Sequence, residues 1–233
     1  MLTYNECKEF KNTDSPSGRT YSVPTGVYPS ITTVLGATSD NGWLSAWRQK
    51  IGDEEADKIL ADASARGTKI HSYIEQLYTE YSKPTITDAR KSFSELDITN
   101  EPDYIIKMAK NLTKILVDNN YHSIAQEFVV WDDELKIAGR CDSIGYWNGA
   151  FTLVDFKTAR KKKSRAHITN YFLQATAYCK AHNRLFEEKV NRFVIVMVNE
   201  EGTSQIFTGT PNQYIPDLRY RVNKFYIKKG IND

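Results

Sequence analysis

The stretch GRCDSIGYWNGAFTLVDFKT occupies residues 139–158 and contains two β-rich runs on either side of Asn148-Gly149. Both central residues of a type I′ turn need positive φ, and Asn-Gly is the dipeptide that best meets this demand. Such a turn pairs residues whose numbers have the same sum as 148 and 149. The sequence therefore predicts a hairpin in which Asp142 lies directly opposite Asp155.

The predicted hairpin brings like charges together. Directly opposed residues have Cβ atoms about 5 Å apart, and side chains on a strand alternate between the two faces. Lys157 therefore projects on the same face as Asp155, among mostly apolar neighbours. Two carboxylates at this spacing repel each other unless a cation lies between them. The pattern indicates a divalent-metal site with a lysine beside it.

A simpler interpretation is that both acids are exposed and that Lys157 neutralises one of them. Acidic-x-Lys triplets recur in this chain, for example at Glu134-Leu135-Lys136. Only the triplet at Asp155 lies inside an apolar strand run with a second acid placed opposite. This context favours the metal site.

Length and composition are those of a soluble globular protein. The chain has 233 residues, 40% hydrophobic and 12% aromatic, which is enough for one large core. Its 31 basic and 29 acidic residues nearly cancel, so any nucleic-acid surface has to be local. No apolar run reaches membrane-spanning length, and no signal-peptide pattern begins the chain. We expect a soluble protein of the reducing cytoplasm, without a membrane partner.

The three cysteines are Cys7, Cys141 and Cys179, and they are far apart in the sequence. An odd number without a Cys-x-x-Cys pair disfavours a disulfide framework and a structural zinc site. It also disfavours an iron–sulfur cluster held by four cysteines.

The order of predicted elements favours an α/β fold with a mixed central β-sheet flanked by helices. Residues 1–35 are predicted as short strands or loops, with Ser30 capping a brief helix. The remaining predicted helices cover about 43–50, 53–66, 68–78, 103–119, 169–182 and 211–229, and the remaining strands cover 123–131, 190–199 and 204–208. Arg66-Gly67-Thr68 is predicted to separate two helices, and 82–102 to be a polar connector.

Two helices carry polar residues at suggestive spacing. Gln174 and Tyr178 lie four apart on one helical face, where a tyrosine is usually a core residue but a buried amide needs partners. His71 and Glu75 have the same spacing. His71 is either an ordinary helix histidine or a metal or phosphate contact near the free N–H groups of a helix that begins at Thr68.

Together these residues resemble the PD-(D/E)XK nuclease superfamily, and within it the RecB-type branch. The matching positions over residues 66–180 are His71, Gly139-x-x-Asp142, Asp155-x-Lys157 and Gln174-x-x-x-Tyr178. Residues 29–35 and the block from Arg66 to Glu75 are similar to phage exonucleases and mitochondrial genome maintenance exonucleases.

The resemblance implies one domain over 1–233 with a restriction-endonuclease-like core at 53–210, N-terminal helical additions at 1–52 and a C-terminal helix at 211–233. It implies Mg²⁺ or Mn²⁺. Some RecB-type relatives carry an iron–sulfur cluster, but this chain lacks the cysteines for one, so we expect a member without a cluster. The implied metal ligands are His71, Asp142, Asp155 and the Phe156 carbonyl, with Glu75 and Glu127 as second-rank neighbours through water. Lys157 is expected to orient the attacking water or to stabilise developing charge, and Gln174 and Tyr178 to position Lys157 or a phosphate.

The implied partner is DNA, with single strands favoured. Charge runs are usually solvated loops, but residues 160–165 abut the presumed phosphodiester site and are therefore expected to follow the DNA backbone. The expected DNA contacts are Arg66, Thr68, Arg160, Lys161, Lys162, Lys163 and Arg165. Expected stacking residues are Tyr171, Tyr81, Trp43 and Trp47.

The resemblance favours an exonuclease that needs a free end, encoded by a phage and acting in the host cytoplasm. Two alternatives stay open from the sequence. One is a structure- or site-specific DNA endonuclease. The other is a weakly active DNA-binding recombination partner on the same fold.

Overall fold

The computed structural model describes residues 2–40, 42–79, 98 and 100–230. Within them the helices are α1 Tyr4–Lys8, α2 Ile31–Thr38, α3 Gly42–Ile51, α4 Asp53–Thr79, α5 Asp103–Asp118, α6 Thr169–Leu185 and α7 Ile215–Lys228. The strands are β1 Asn12–Ser15, β2 Gly18–Val23, β3 Gly26–Pro29, β4 His122–Asp132, β5 Ile137–Trp147, β6 Ala150–Ala159, β7 Phe193–Asn199 and β8 Ser204–Gly209. Short 3₁₀ helices at Arg165–Ile168 and Pro211–Gln213 precede α6 and α7.

The central sheet has the strand order β4-β5-β6-β7-β8. β6 and β7 run parallel, whereas the other neighbours are antiparallel. One face shares a core with α6 and α7, and the other with α4 and α5. Alternation along β6 sends Leu153 to the first core and Val154 and Phe156 to the second. The predicted mixed α/β sheet flanked by helices is confirmed.

The hairpin between β5 and β6 has the predicted turn. Asn148 and Gly149 have φ of 50° and 76°, and the strands pair from Trp147–Ala150 to Ser143–Val154. The predicted register is therefore confirmed over these pairs. Asp142 and Asp155 follow one position beyond the last pair.

α4 differs from the prediction because it runs through Arg66-Gly67-Thr68 without a break. Glycine inside a helix costs about 1 kcal/mol relative to alanine. Ile70, Ile74 and Leu77 are buried in the core that α4 shares with α5 and the sheet, and this burial outweighs the glycine. Thr68 is thus an interior helical residue, so the predicted free N–H groups at a helix start beside His71 do not exist.

The N-terminal region contains short strands as well as helices. β1, β2 and β3 form a separate antiparallel sheet, which agrees with the short strands predicted within residues 1–35. A single bridge from Ser30 to Ala138 links this region to β5. The Ser30 hydroxyl accepts a hydrogen bond from the Thr33 N–H at 3.0 Å, so the predicted N-cap of α2 is confirmed. Gly18 (φ 112°) lets the chain approach Thr33, whose methyl would lie 2.3 Å from an added Cβ.

Some predictions fall outside the described residues. Tyr81 and most of the connector at 82–102 lie there, as does the side chain of Trp43. In the described part of the chain, the helices lack the combined length and apolar character needed to cross a membrane.

Candidate metal and nuclease site

A cleft of about 280 Å³ opens beside β5. Six of the predicted site residues line it, namely His71, Glu127, Asp142, Lys157, Gln174 and Tyr178. They come from α4, β4, β5, β6 and α6. The fold therefore gathers into one cleft side chains that span more than 100 positions of sequence.

Two carboxylates and an imidazole face one another in this cleft. The Nδ1 atom of His71 lies 3.8 Å from Glu127 Oε1 and 3.8 Å from Asp142 Oδ1. One ligand atom from each of the three residues lies within 4.8 Å of the other two. We call these three residues the acid–imidazole group.

The main chain of β6 completes this arrangement. The Phe156 N–H donates a hydrogen bond to Asp142 Oδ2 at 2.7 Å, which ties β5 to β6 beyond the paired ladder. The Phe156 carbonyl lies 3.1 Å from His71 Nε2. The carbonyl predicted as a ligand is thus next to the acid–imidazole group.

Asp155 and Lys157 form a buried pair beside the group. Asp155 is fully buried, and its Oδ2 lies 2.5 Å from Lys157 Nζ. This contact lacks hydrogen-bond geometry, so both carboxylate oxygens of Asp155 are buried without a hydrogen-bond partner. Asp155 does not line the cleft, whereas Lys157 does.

Electrostatics in the site favour a cation. Burial opposes a charge on His71, but Asp142 and Glu127 outweigh it and raise the pKa of His71 to about 9. Burial likewise opposes the charge on Lys157, but Asp155 and Asp142 outweigh it and raise the pKa of the ammonium group. Burial also raises the pKa of Asp155, to about 6. The shifts of His71 and Lys157 thus come from acidic neighbours, whereas that of Asp155 comes mainly from burial.

The donor set fits a hard divalent cation. Carboxylate oxygens suit Mg²⁺ and Mn²⁺, and an imidazole is better tolerated by Mn²⁺. Glu127 takes a direct place in the group, although the sequence ranked it behind Asp155. Asp155 has Lys157 as its cationic partner, and its carboxylate oxygens are otherwise buried without a hydrogen bond.

Gln174 and Tyr178 pack together as their spacing predicts. The Gln174 amide donates a hydrogen bond to the Tyr178 hydroxyl at 2.9 Å, and only 4% of Tyr178 is exposed. Gly139 is required here, because an added Cβ would lie 2.5 Å from the Tyr178 ring. Tyr171 lies on the same helix, with its ring 5.3 Å from Lys157 Nζ and 5.5 Å from Lys163 Nζ.

Residues 160–165, called the basic loop, divide into two parts. Lys161 and Lys162 are exposed, as is Arg160, which lies 3.9 Å from Glu200. The main chain of Lys163 is fixed by two hydrogen bonds to the Gln205 amide. Arg165 bonds to the Tyr214 hydroxyl and stacks on Phe172, which gives it a structural contact.

Three further predicted residues do not line the cleft. Arg66 is buried and its Nη1 pairs with Glu200. Thr68 and Glu75 are exposed on α4. Trp47, a predicted stacking residue, is half-buried on α3 and also lies outside the lining.

The sequence did not reveal the N-terminal wall of the cleft. That wall is formed by Asn12, Arg19, Tyr21, Ser30 and Thr32, together with Arg140. Arg140 lies inside the Gly139-x-x-Asp142 motif, and its place in that motif is the one sequence feature that indicates its position in the cleft. The other contacts join segments more than 100 residues apart, and no local pattern predicts them.

Three comparisons relate this chain to known proteins. A family model of the PD-(D/E)XK nuclease superfamily matches residues 44–224, which is more than half of the chain. A search of curated proteins finds no match. The crystal structure named "Putative exonuclease" from Eubacterium rectale is similar at 16% identity and a TM-score of 0.46, over 72% of this chain and 69% of that one. The five-stranded mixed sheet is consistent with a restriction-endonuclease-like fold, and the family match shows that the chain belongs to the PD-(D/E)XK nuclease superfamily.

Proposed function

We propose that this nuclease is a Mg²⁺- or Mn²⁺-dependent DNA exonuclease of the RecB-type branch that prefers single strands with a free end. The observation that carries the proposal is the acid–imidazole group of His71, Glu127 and Asp142, with Lys157 lining the same cleft. The exonuclease assignment and the strand preference rest on the similarity to phage and mitochondrial exonucleases described above.

His71, Glu127 and Asp142 would hold the ion, with Asp155 and the Phe156 carbonyl adjacent. When bound, such an ion polarises the scissile phosphate and lowers the pKa of a water molecule. Asp142 is already oriented for this role by the Phe156 N–H.

Lys157 supplies the positive charge that stabilises the pentavalent phosphate. Its ammonium group lies between the buried Asp155 and the ring of Tyr171, which restricts its motion. Asp155 keeps Lys157 charged at neutral pH. Gln174 and Tyr178 form the neighbouring wall, where their amide and hydroxyl groups offer hydrogen bonds to a phosphate or to Lys157.

The exposed part of the basic loop extends this site. Lys161 and Lys162 lie just beyond the end of β6, the strand that carries Lys157. Lysines at this point neutralise phosphates on the strand that leaves the cleft. The Tyr171 ring lies near the ammonium groups of Lys157 and Lys163. These contacts support a role for Tyr171 in positioning the two lysines more than a role in base stacking.

A cleavage assay tests the proposal. The substrates are linear single-stranded, linear double-stranded and circular single-stranded DNA, each with Mg²⁺, Mn²⁺ or EDTA. We expect metal-dependent loss of linear single strands and no cut in the circle. Asp155→Ala and Lys157→Ala should abolish cleavage, whereas the control Lys114→Ala, on the exposed face of α5, should not. Cleavage of the circle favours the endonuclease, and equal inactivity of wild type and variants favours the DNA-binding partner.

A further inference from the structure

Glu127 has an unusual backbone for a strand residue. Its φ is 49°, in the left-handed region, which side chains with a Cβ adopt only at a cost in free energy. Among described residues other than glycine, only Asn120, Lys136 and Asn148 share this sign of φ. Those three lie in turns, whereas Glu127 lies inside β4. Such strain persists only where the surroundings hold it, and it clusters at functional sites.

The strand ladder continues on both sides of this distortion. Gln126 pairs with Ser143 and Phe128 pairs with Cys141, so no residue is inserted at Glu127. The change is a local rotation of the peptide. The partner position in this register belongs to Asp142, and the rotated residue contributes its carboxylate to the acid–imidazole group.

Arg140 holds the rotated peptide in place. Its Nη1 donates a hydrogen bond to the Glu127 carbonyl, and its Nη2 donates one to the Phe10 carbonyl at 3.2 Å. Both acceptors are main-chain oxygens, so the guanidinium fixes the course of the backbone. Phe10 itself stacks edge-on against the buried Trp131 of β4. Arg140 therefore connects the N-terminal segment, through a rigid fork of donors, to a residue of the proposed metal site.

We propose that Arg140 is a positioning residue that holds Glu127 in the left-handed conformation, so that the Glu127 carboxylate binds the metal ion directly. This inference rests on the proposed metal-dependent function and adds a residue to it. Groups that orient metal ligands typically change metal affinity by about 10- to 100-fold when they are removed. Arg140 also lines the cleft, but its hydrogen bond to the acid–imidazole group is to the Glu127 carbonyl, so a positioning role makes the effects of the two residues non-additive.

Calorimetric titration of Mn²⁺ into the full-length, EDTA-treated protein tests this assignment without DNA. Arg140→Met keeps the apolar stem but removes the donors, and we expect Mn²⁺ affinity to fall about 10-fold. Arg140→Lys keeps one donor group, so its Mn²⁺ affinity should fall less than that of Arg140→Met. Glu127→Gln should weaken binding at least as much as Arg140→Met, and the double variant should bind no more weakly than Glu127→Gln.

The backbone conformation has its own test. Glu127→Gly should melt at a higher temperature than Glu127→Ala, because glycine adopts positive φ without strain. Lys136, left-handed in the turn between β4 and β5, is the matched control. Lys136→Gly and Lys136→Ala should differ in melting temperature in the same way, and both should bind Mn²⁺ like wild type.

Several results would overturn the inference. If Arg140→Met lowers the melting temperature but leaves the Mn²⁺ affinity unchanged, Arg140 stabilises the fold and does not position a metal ligand. Additive losses in the double variant mean that Arg140 does not act through Glu127. If Arg140→Met does not fold, the decision falls to Arg140→Lys and to Glu127→Gly against Glu127→Ala. Absence of Mn²⁺ binding by wild type removes the proposed function as well, so the two failures are distinguishable.

Discussion

The β4–β5 unit carries two acidic clusters that are built differently. In the outer cluster, Asp132 and Glu134 are matched by cations, with Lys180 Nζ 2.6 Å from Asp132 and 3.0 Å from Glu134. Arg184 and Arg219 add further ion pairs to Glu134. In the cleft, by contrast, Glu127 and Asp142 face a single imidazole at 3.8 Å.

This difference separates a stabilising role from a functional one. The outer cations come from α6 and α7, so the outer cluster fastens these helices to the turn between β4 and β5. The acids of the cleft repel each other in the folded protein, and the imidazole at 3.8 Å offsets this repulsion only below the pKa of His71, about 9. Unmatched acids are therefore the better indicator of a metal site.

Among substitutions in the two acidic clusters, the largest expected effect is on catalysis and comes from Asp142→Asn. The substitution keeps the acceptor for the Phe156 N–H but removes a negative charge, so the cleavage rate should fall about 10²- to 10³-fold. The melting temperature of the metal-free protein should change little, because the relief of repulsion from Glu127 and the loss of attraction to His71 and Lys157 oppose each other. Initial rates and thermal unfolding measure both quantities. A large loss of stability with little loss of rate would contradict the functional role of this acid.

Asp132→Asn should give the opposite result. Asp132 is fully buried and Lys180 is 14% exposed, so the change leaves a mostly buried ammonium group with the partly exposed Glu134 as its remaining acidic partner. Losing such a charge-assisted hydrogen bond costs about 2 kcal/mol of unfolding free energy, measurable by urea denaturation. The cleavage rate per folded molecule should stay at the wild-type value. A rate loss as large as that of Asp142→Asn would erase the distinction between the clusters.

The two clusters should also respond to opposite ends of the pH range. Hydrogen bonds from Lys180 and Arg219 lower the pKa of Glu134 from 4.5 to about 2. A lowered pKa gives stability that is present above pH 4.5 and is lost as the pH falls toward 2. The pKa of His71 is raised from 6.5 to about 9, so its contribution is present below pH 6.5 and is lost as the pH rises toward 9.

Melting curves of EDTA-treated protein across this range test the two windows. His71→Gln should reduce only the fall in melting temperature at alkaline pH. Glu134→Gln should reduce only the fall in melting temperature at acidic pH. An alkaline decline that His71→Gln leaves unchanged would mean that another group is responsible.

The smallest effect should come from Glu134→Gln at neutral pH. Its side chain is 40% exposed, and solvent screens its ion pairs, so the loss in unfolding free energy should be small. Raising the salt concentration should shrink this difference. If Glu134→Gln destabilised the protein as much as Asp132→Asn does, solvent exposure would not explain the difference in stabilisation expected between the two acids.

Local patterns predicted much of the hairpin and of helix α6. Asn148-Gly149 set the register because a two-residue turn leaves one choice of pairing. Gln174 and Tyr178 were predicted together because four-residue spacing places them on one helical face. In both cases the information lies within a few residues.

Other features depend on contacts that no local pattern contains. The break predicted at Gly67 was wrong because burial of the α4 side chains outweighs a weak propensity. Glu127 was ranked low because β4 and β5 are joined by a four-residue connection and an irregular pairing near Ile124, so its register was not readable. The left-handed backbone conformation of Glu127 inside β4 cannot be predicted from residue types either.

The most direct test of the central claim is the anomalous scattering of Mn²⁺ in crystals of the full-length protein. We predict one strong peak within direct coordination distance of His71, Glu127 and Asp142, and none at Asp132 and Glu134. A peak at the outer cluster, or no peak in the cleft at saturating Mn²⁺, would contradict the account.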